Sequence, residues 1–163
     1  MDLESEAPGL VELLAEKRQT LVMAESCTGG LVAATLATVP GVSAWLAGSM
    51  VVYQEETKRR WLGVAEETLT RFGVVSAPVA HQMVVGALKT TPQADIAAAI
   101  TGHLGPDAPP GFDGLVFIGI GRRDQTPRTW QIELKAKKRV GRQREAASEV
   151  MATLKRVLGT IVA

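Results

Sequence analysis

The chain has 163 residues, 46% of them hydrophobic, with a formal net charge of +1 and a single cysteine. That suits one domain with a real core; no apolar run approaches the roughly 20 residues of a membrane span, and a lone Cys27 excludes an internal disulfide or a cysteine-built zinc cage. Aromatic residues make up 4%, too few for a single-strand stacking platform, and the start Met1-Asp-Leu-Glu-Ser-Glu lacks the basic and apolar stretches of a signal peptide, so a soluble cytoplasmic protein is expected.

In chain order, residues 9–18 read as a short amphipathic helix with Leu10, Leu13 and Leu14 on one face. Residues 20–24 form an apolar run that reads as a buried strand, and residues 31–37 open a helix that should end near Pro40-Gly41. Residues 44–53 look extended, residues 54–62 form a charged helix closed by Gly63, and residues 66–72 make another short helix. Ser76 is suited to cap the next helix, with Pro78 just inside its start and Val79, Met83, Ala87 and Leu88 sharing a face. Residues 95–100 read as a buried strand despite alanine's weak strand propensity. Residues 115–120 are apolar on both faces, as in the interior of an α/β sheet. Residues 128–136 alternate, with Trp130, Ile132 and Leu134 inward, and should pair as a hairpin with the strand before them. A last helix carries Ala147, Val150, Met151, Leu154, Val157 and Leu158 on one face. With no repeat, linker or low-complexity stretch, residues 1–163 read as a single three-layer α/β/α domain.

Chemistry concentrates in Met23-Ala-Glu-Ser-Cys-Thr-Gly-Gly30, a strand-to-helix turn holding two hydroxyls, a thiol and two glycines. Such a turn aims several N–H groups at one spot, where the helix dipole favours negative charge. Ser26 is either a helix cap or a nucleophile, and a serine nucleophile needs a base and N–H donors for an oxyanion. His81 falls inside an amphipathic helix, where packing or a surface place is the better reading; His103, in Thr101-Gly-His-Leu-Gly-Pro106, is the only histidine placed to line a site. Lys58, just beyond Tyr53 on the charged helix, is the other candidate base if burial lowers its pKa. Cys27 is a lesser candidate nucleophile, and Gly119-Ile-Gly121 lacks the following helix that a dinucleotide fingerprint requires. No metal or cofactor is expected.

Residues 122–144 hold nine Lys or Arg against Asp124 and Glu133. With no DNA-reading motif beside it, this cluster suits an exposed hairpin and a solvated helix start, or one nucleotide phosphate, better than a duplex.

These motifs together resemble the CinA C-terminal domain family. Ala24-Glu-Ser-Cys-Thr-Gly-Gly30 is present unbroken, followed by Pro40-Gly-Val-Ser43, Tyr53 with Lys58 and Leu62-Gly-Val64, Gly73-Val-Val-Ser76, and Ala99-Ile-Thr-Gly-His-Leu-Gly-Pro106. The resemblance implies an α/β/α sandwich with a mixed, mostly parallel sheet. It also implies hydrolysis of the carboxamide of nicotinamide mononucleotide to nicotinic acid mononucleotide and ammonia. In that reading Ser26 is the nucleophile, Lys58 the base, and Tyr53 positions the lysine or the substrate. Cys27, Thr28, Gly29 and Gly30 line the substrate at the turn, with Thr101, Gly102 and His103 completing the pocket and Arg142 and Arg144 candidates for one phosphate. A homodimer with a small-molecule nucleotide substrate, and neither nucleic acid nor membrane as partner, is the expectation. Three departures bear on substrate contacts: Gln54-Glu55 after the tyrosine, the loop from His103 to Gly111, and Gly141-Arg142-Gln-Arg144 near the last helix. A nucleotide- or phosphosugar-binding domain without turnover is the alternative of a different class.

Overall fold

The structure, a computed structural model, describes residues 2–161. Helix α1 (Leu3–Glu16) starts ahead of the expected residue 9 and carries Pro8 inside it. Its stripe of Leu3, Ala7, Leu10, Val11 and Leu14 is buried, and that burial outweighs the break that Pro8-Gly9 suggests. Strand β1 (Leu21–Glu25) passes through the turn at 26–30 into α2 (Leu31–Leu36). A 3-10 turn at Val42–Ala44 takes Ala44, expected to be extended, and β2 (Leu46–Val51) begins after it. Helices α3 (Glu55–Leu62), α4 (Glu66–Phe72) and α5 (Ala77–Thr90) stand where the periodicity puts them. Ser76 Oγ accepts the Val79 N–H at 3.4 Å, which is the cap expected for α5. Strands β3 (Ile96–Gly102) and β4 (Leu115–Arg122) run past their expected ends, β5 (Arg128–Glu133) stops before residue 136, and α6 (Arg139–Gly159) closes the fold.

The strands form one sheet in the order β2-β1-β3-β4-β5. β1 pairs parallel with β2 and β3, while β4 is antiparallel to β3 and to β5. The sheet is therefore mixed, and only β4 runs against the others. "Mostly parallel" holds for strand direction but not for pairing, because the β4–β5 hairpin ends the sheet with antiparallel ladders. Alternate residues face two cores. Leu21, Met23, Ile96, Ala98, Ile100, Val116 and Ile118 pack under α1, α2 and α6. Val22, Ala24, Ala97 and Ala99 pack under α3, α4 and α5. This double burial is why β1 and β3 read as unbroken apolar runs. Among the described residues no helix is long and apolar enough to cross a membrane.

Small residues let α5 approach its neighbours. A Cβ on Gly119 of β4 would lie 2.8 Å from the Ala80 carbonyl oxygen, so the Gly119-Ile-Gly121 spacing serves helix–sheet packing. A Cβ on Gly86 would lie 2.0 Å from the carbonyl oxygen of Leu62, at the end of α3. Gly86→Ala is therefore expected to push α3 off α5 and to destabilise the domain by about 1–3 kcal/mol, read as a lower urea midpoint. An unchanged midpoint would show that this contact yields freely.

Candidate active site

The chain moves from β1 outward to β2 and then returns across β1 to β3, so the carboxyl end of β1 is a topological switch point of the sheet. Open α/β sheets bind ligands at such points. Ser26 follows β1 directly, and its N–H is held by the Ile100 carbonyl at 3.2 Å. Thr101 and Gly102 close the adjacent strand β3. Glycine is needed at Gly102 because a Cβ there would lie 2.4 Å from Val116 Cγ1. The Thr101 hydroxyl donates to the Val74 carbonyl at 2.9 Å, so it braces the neighbouring loop.

Lys58 reaches this point from α3 and is fully buried. Its Nζ stands 3.0 Å from Ser26 Oγ, 2.7 Å from the Val52 carbonyl oxygen and 3.1 Å from that of Tyr53. Three oxygens thus surround one nitrogen. As an ammonium, Nζ donates to all three. As a neutral amine it has two N–H groups for the two carbonyls and a lone pair facing the serine hydroxyl. Burial lowers the Lys58 pKa from 10.5 to about 8, with the Glu55 carboxylate acting in the opposite direction. Tyr53 contributes through its carbonyl. Its side chain is half exposed, and its Oη accepts from an Arg139 N–H at 2.8 Å, while a second Arg139 N–H donates to the Gly105 carbonyl at 2.6 Å.

Glu25 fills a place that nothing in the motif reading assigns. It is fully buried, and its carboxylate accepts the Thr28 hydroxyl at 2.8 Å, the Gly30 and Val32 N–H groups at 3.1 Å each, the Ala33 N–H at 3.0 Å and the Ser49 hydroxyl at 3.1 Å. The start of α2 is consequently not an open anion site, because this carboxylate already occupies it. The Thr28 hydroxyl and the Gly30 N–H, expected to meet substrate, are committed to Glu25, and the Gly29 N–H is committed to the Ser26 carbonyl at 2.9 Å. Gly29 and Gly30 instead supply the left-handed backbone of the turn, with φ of +63° and +95°. Gln143 of α6 adds a brace by donating to the Thr28 carbonyl at 3.0 Å. The Cys27 and Thr28 N–H groups are not given to any backbone carbonyl among the described residues.

Other expected site residues are placed differently. The Cys27 side chain packs into the core beneath α2 and α6, and burial pushes its thiol up to about 12, which removes it as a nucleophile near neutral pH. His103 stacks edge-on against Phe112, with ring centroids 5.9 Å apart, and burial lowers its pKa. The titratable nitrogen beside Ser26 Oγ is Lys58 Nζ, not a nitrogen of His103. Arg142 is buried and makes a two-pronged ion pair with Asp113 at 2.6 and 2.8 Å; it also donates to the Ala136 carbonyl at 2.9 Å and the Leu104 carbonyl at 3.3 Å. It ties the loop after β3 to α6 and is not free to receive a phosphate. Arg139 lies near enough to Cys27 for its charge to act on the thiol, as does Lys58. The remaining basic cluster is dispersed: Arg122 bonds Gln19, Arg123 holds the carbonyls of Leu88, Thr91 and Ala94 from the end of α5 to the loop before β3, and Arg144 reaches Glu4. A cleft of about 660 Å³ between α3 and α5 is lined by Trp61, His81, Val85 and Lys89, and contains neither Ser26 nor Lys58.

Fold and site together define a three-layer α/β/α domain with a serine–lysine pair buried at the carboxyl ends of parallel strands. The chain belongs to the CinA C-terminal domain family, whose model matches residues 4–158. A CinA-like protein of Leptospira borgpetersenii is 42% identical over 118 residues, covering 71% of this chain and 28% of that protein. One from Thermotoga neapolitana is 42% identical over 113 residues, covering 68% of this chain and 28% of that protein. The chain thus spans less than a third of the length of these curated relatives. Among solved structures, the competence/damage inducible protein of Agrobacterium tumefaciens superposes with a TM-score of 0.90 at 31% identity, covering 98% of this chain and 97% of that one. A CinA superfamily protein of Klebsiella pneumoniae gives 0.93 at 28% identity, covering 99% and 100%.

Proposed function

We propose that this domain is an amidohydrolase that converts nicotinamide mononucleotide to nicotinic acid mononucleotide and ammonia by a serine–lysine mechanism. The observation that carries the reading is the Lys58 Nζ, buried between two carbonyls with Ser26 Oγ as its third neighbour. In that cage the neutral amine keeps its lone pair toward Ser26 Oγ, which supports its taking the serine proton. Ser26 Oγ attacks the carboxamide carbon while its proton passes to Nζ. The resulting oxyanion lies in reach of the Cys27 and Thr28 N–H groups, the donors beside the nucleophile not given to backbone carbonyls. Lys58 then returns the proton to the amide nitrogen, the C–N bond breaks, and ammonia leaves an acyl ester on Ser26. Water, deprotonated by the again-neutral Lys58, attacks the ester; the carboxylate departs and Ser26 regains its proton.

The choice of nicotinamide mononucleotide rests on the family motifs from Ala24 to Pro106. Because Arg142 is engaged with Asp113, the reading gives the substrate phosphate to Arg139, the exposed guanidinium that holds the Tyr53 hydroxyl. The test is direct. Purified chain incubated with nicotinamide mononucleotide should release ammonia and nicotinic acid mononucleotide in equal amounts, separable by anion exchange because the product carries one more negative charge. Saturable binding of the nucleotide with no ammonia released would make the domain a binding module instead.

A further inference from the structure

We propose that Glu25 is a positioning residue for the serine–lysine pair, its carboxylate holding the turn that presents Ser26 and its main chain holding the segment that aims Lys58; this rests on the reading of Ser26 as nucleophile. A fully buried carboxylate is costly unless its oxygens are satisfied, and Glu25 is satisfied without any cation. Its five partners are two hydroxyls and three peptide N–H groups. A helix as short as α2, six residues, needs no such group, since a serine or aspartate at the cap serves ordinary helices. What the glutamate adds is reach. From the end of β1 it ties together Thr28 in the turn, the first residues of α2, and Ser49 on β2.

The main chain of the same residue extends the tie to the base. The Glu25 carbonyl accepts the Val52 N–H at 2.8 Å, and the Val52 carbonyl accepts from Lys58 Nζ at 2.7 Å. Nucleophile and base arrive from different elements, and both are referred to residue 25. Glu25 makes no hydrogen bond to Ser26 Oγ or to Lys58 Nζ, so its effect passes through the turn and not through proton transfer. Misplacement of reacting groups by about an ångström costs rate steeply, so a looser turn should lower turnover far more than substrate affinity.

Glu25→Gln is the informative variant because it keeps the shape and loses only acceptor capacity. Each carboxylate oxygen receives at least one peptide N–H, so the amide nitrogen meets a donor whichever way it is turned. Two readouts on purified protein are compared: the rate at which a fluorophosphonate labels Ser26, followed by intact mass, and kcat and KM for nicotinamide mononucleotide. Glu25→Gln is expected to label at least about tenfold more slowly, with kcat reduced alike and KM within about twofold of wild type, while circular dichroism shows a folded chain. A folded Glu25→Gln chain labelled at the wild-type rate overturns the proposal, as does a change confined to KM. If Glu25→Gln does not fold, Ser49→Ala carries the test, since it removes one partner of the same carboxylate. Labelling slowed by about threefold supports the role, and an unchanged rate overturns it. Wild-type protein that resists labelling altogether would remove the serine–lysine reading itself, a result distinct from equal labelling of wild type and variant.

Discussion

Lys58→Arg keeps a positive charge beside Ser26 and is expected to lower amide hydrolysis by about 10³-fold or more, nearly as far as Lys58→Ala. A guanidinium remains protonated in proteins and cannot accept the serine proton. It is also too wide for a cage in which three oxygens lie 2.7 to 3.1 Å from one nitrogen. His103→Ala should leave the chemical step largely intact, because its ring packs on Phe112 and Ser26 Oγ is served by Lys58. The pH profile follows from the same nitrogen. In the proposed mechanism only the neutral amine is competent, and burial brings the Lys58 pKa down to about 8. Turnover should therefore climb from neutral pH and level off above pH 8, the reverse of the falling limb that a needed ammonium would give. Stability carries a matching signature. Between about 8 and 10.5 the unfolded lysine holds a proton that the folded one has released, so the lysine's contribution to stability rises with pH across that window. The full rise is on the order of 3 kcal/mol; it should appear in the wild-type minus Lys58→Met difference in urea unfolding and be absent from the profile of Lys58→Met itself. A flat rate profile from pH 7 to 9, or an active Lys58→Arg enzyme, would count against lysine as the base.

The parts of this fold legible in the sequence are those where one residue type has one physical consequence. β1, β3 and β4 are buried on both faces and read as unbroken apolar runs. Ser76 with Pro78 marks the start of α5 through a cap that the side chain itself makes. The Ser26 and Lys58 pair was reachable because motif spacing and sheet topology point to the same strand ends. What was hidden depends on geometry that side-chain identity does not encode. Tyr53 helps hold the lysine through its carbonyl, and nothing about a tyrosine announces where its main-chain oxygen points. Arg142 looks like a phosphate ligand until Asp113, distant in sequence, is found paired with both its terminal nitrogens. Glu25 caps a helix that begins at Leu31, beyond the reach of rules that search for a cap immediately before the helix. The visible sign was a charged residue ending an otherwise apolar strand. In α1, Pro8 and Gly9 signal a break, and only the buried stripe from Leu3 to Leu14 shows that tertiary packing prevails.

Ser26→Ala is expected to remove amide hydrolysis by on the order of 10⁴-fold or more while leaving the fold in place. The side chain is small, and among the described residues the one side-chain hydrogen bond it takes part in is with Lys58 Nζ, which retains the Val52 and Tyr53 carbonyls when Oγ is gone. The turn does not depend on this hydroxyl either, since its geometry is held by Glu25, Gln143 and the two left-handed glycines. Folding and chemistry are therefore separable at this position. Cys27→Ala supplies the contrast. Its thiol is held near 12 by burial and faces the core, so removing it should reduce stability by the loss of a small buried group and leave kcat close to wild type. The pair of variants decides between two neighbouring nucleophiles in one assay of ammonia release. An active Ser26→Ala chain with an inactive but folded Cys27→Ala chain would transfer the nucleophile to the thiol. It would also require the thiol to become far more acidic in the substrate complex than its buried place in the free protein allows.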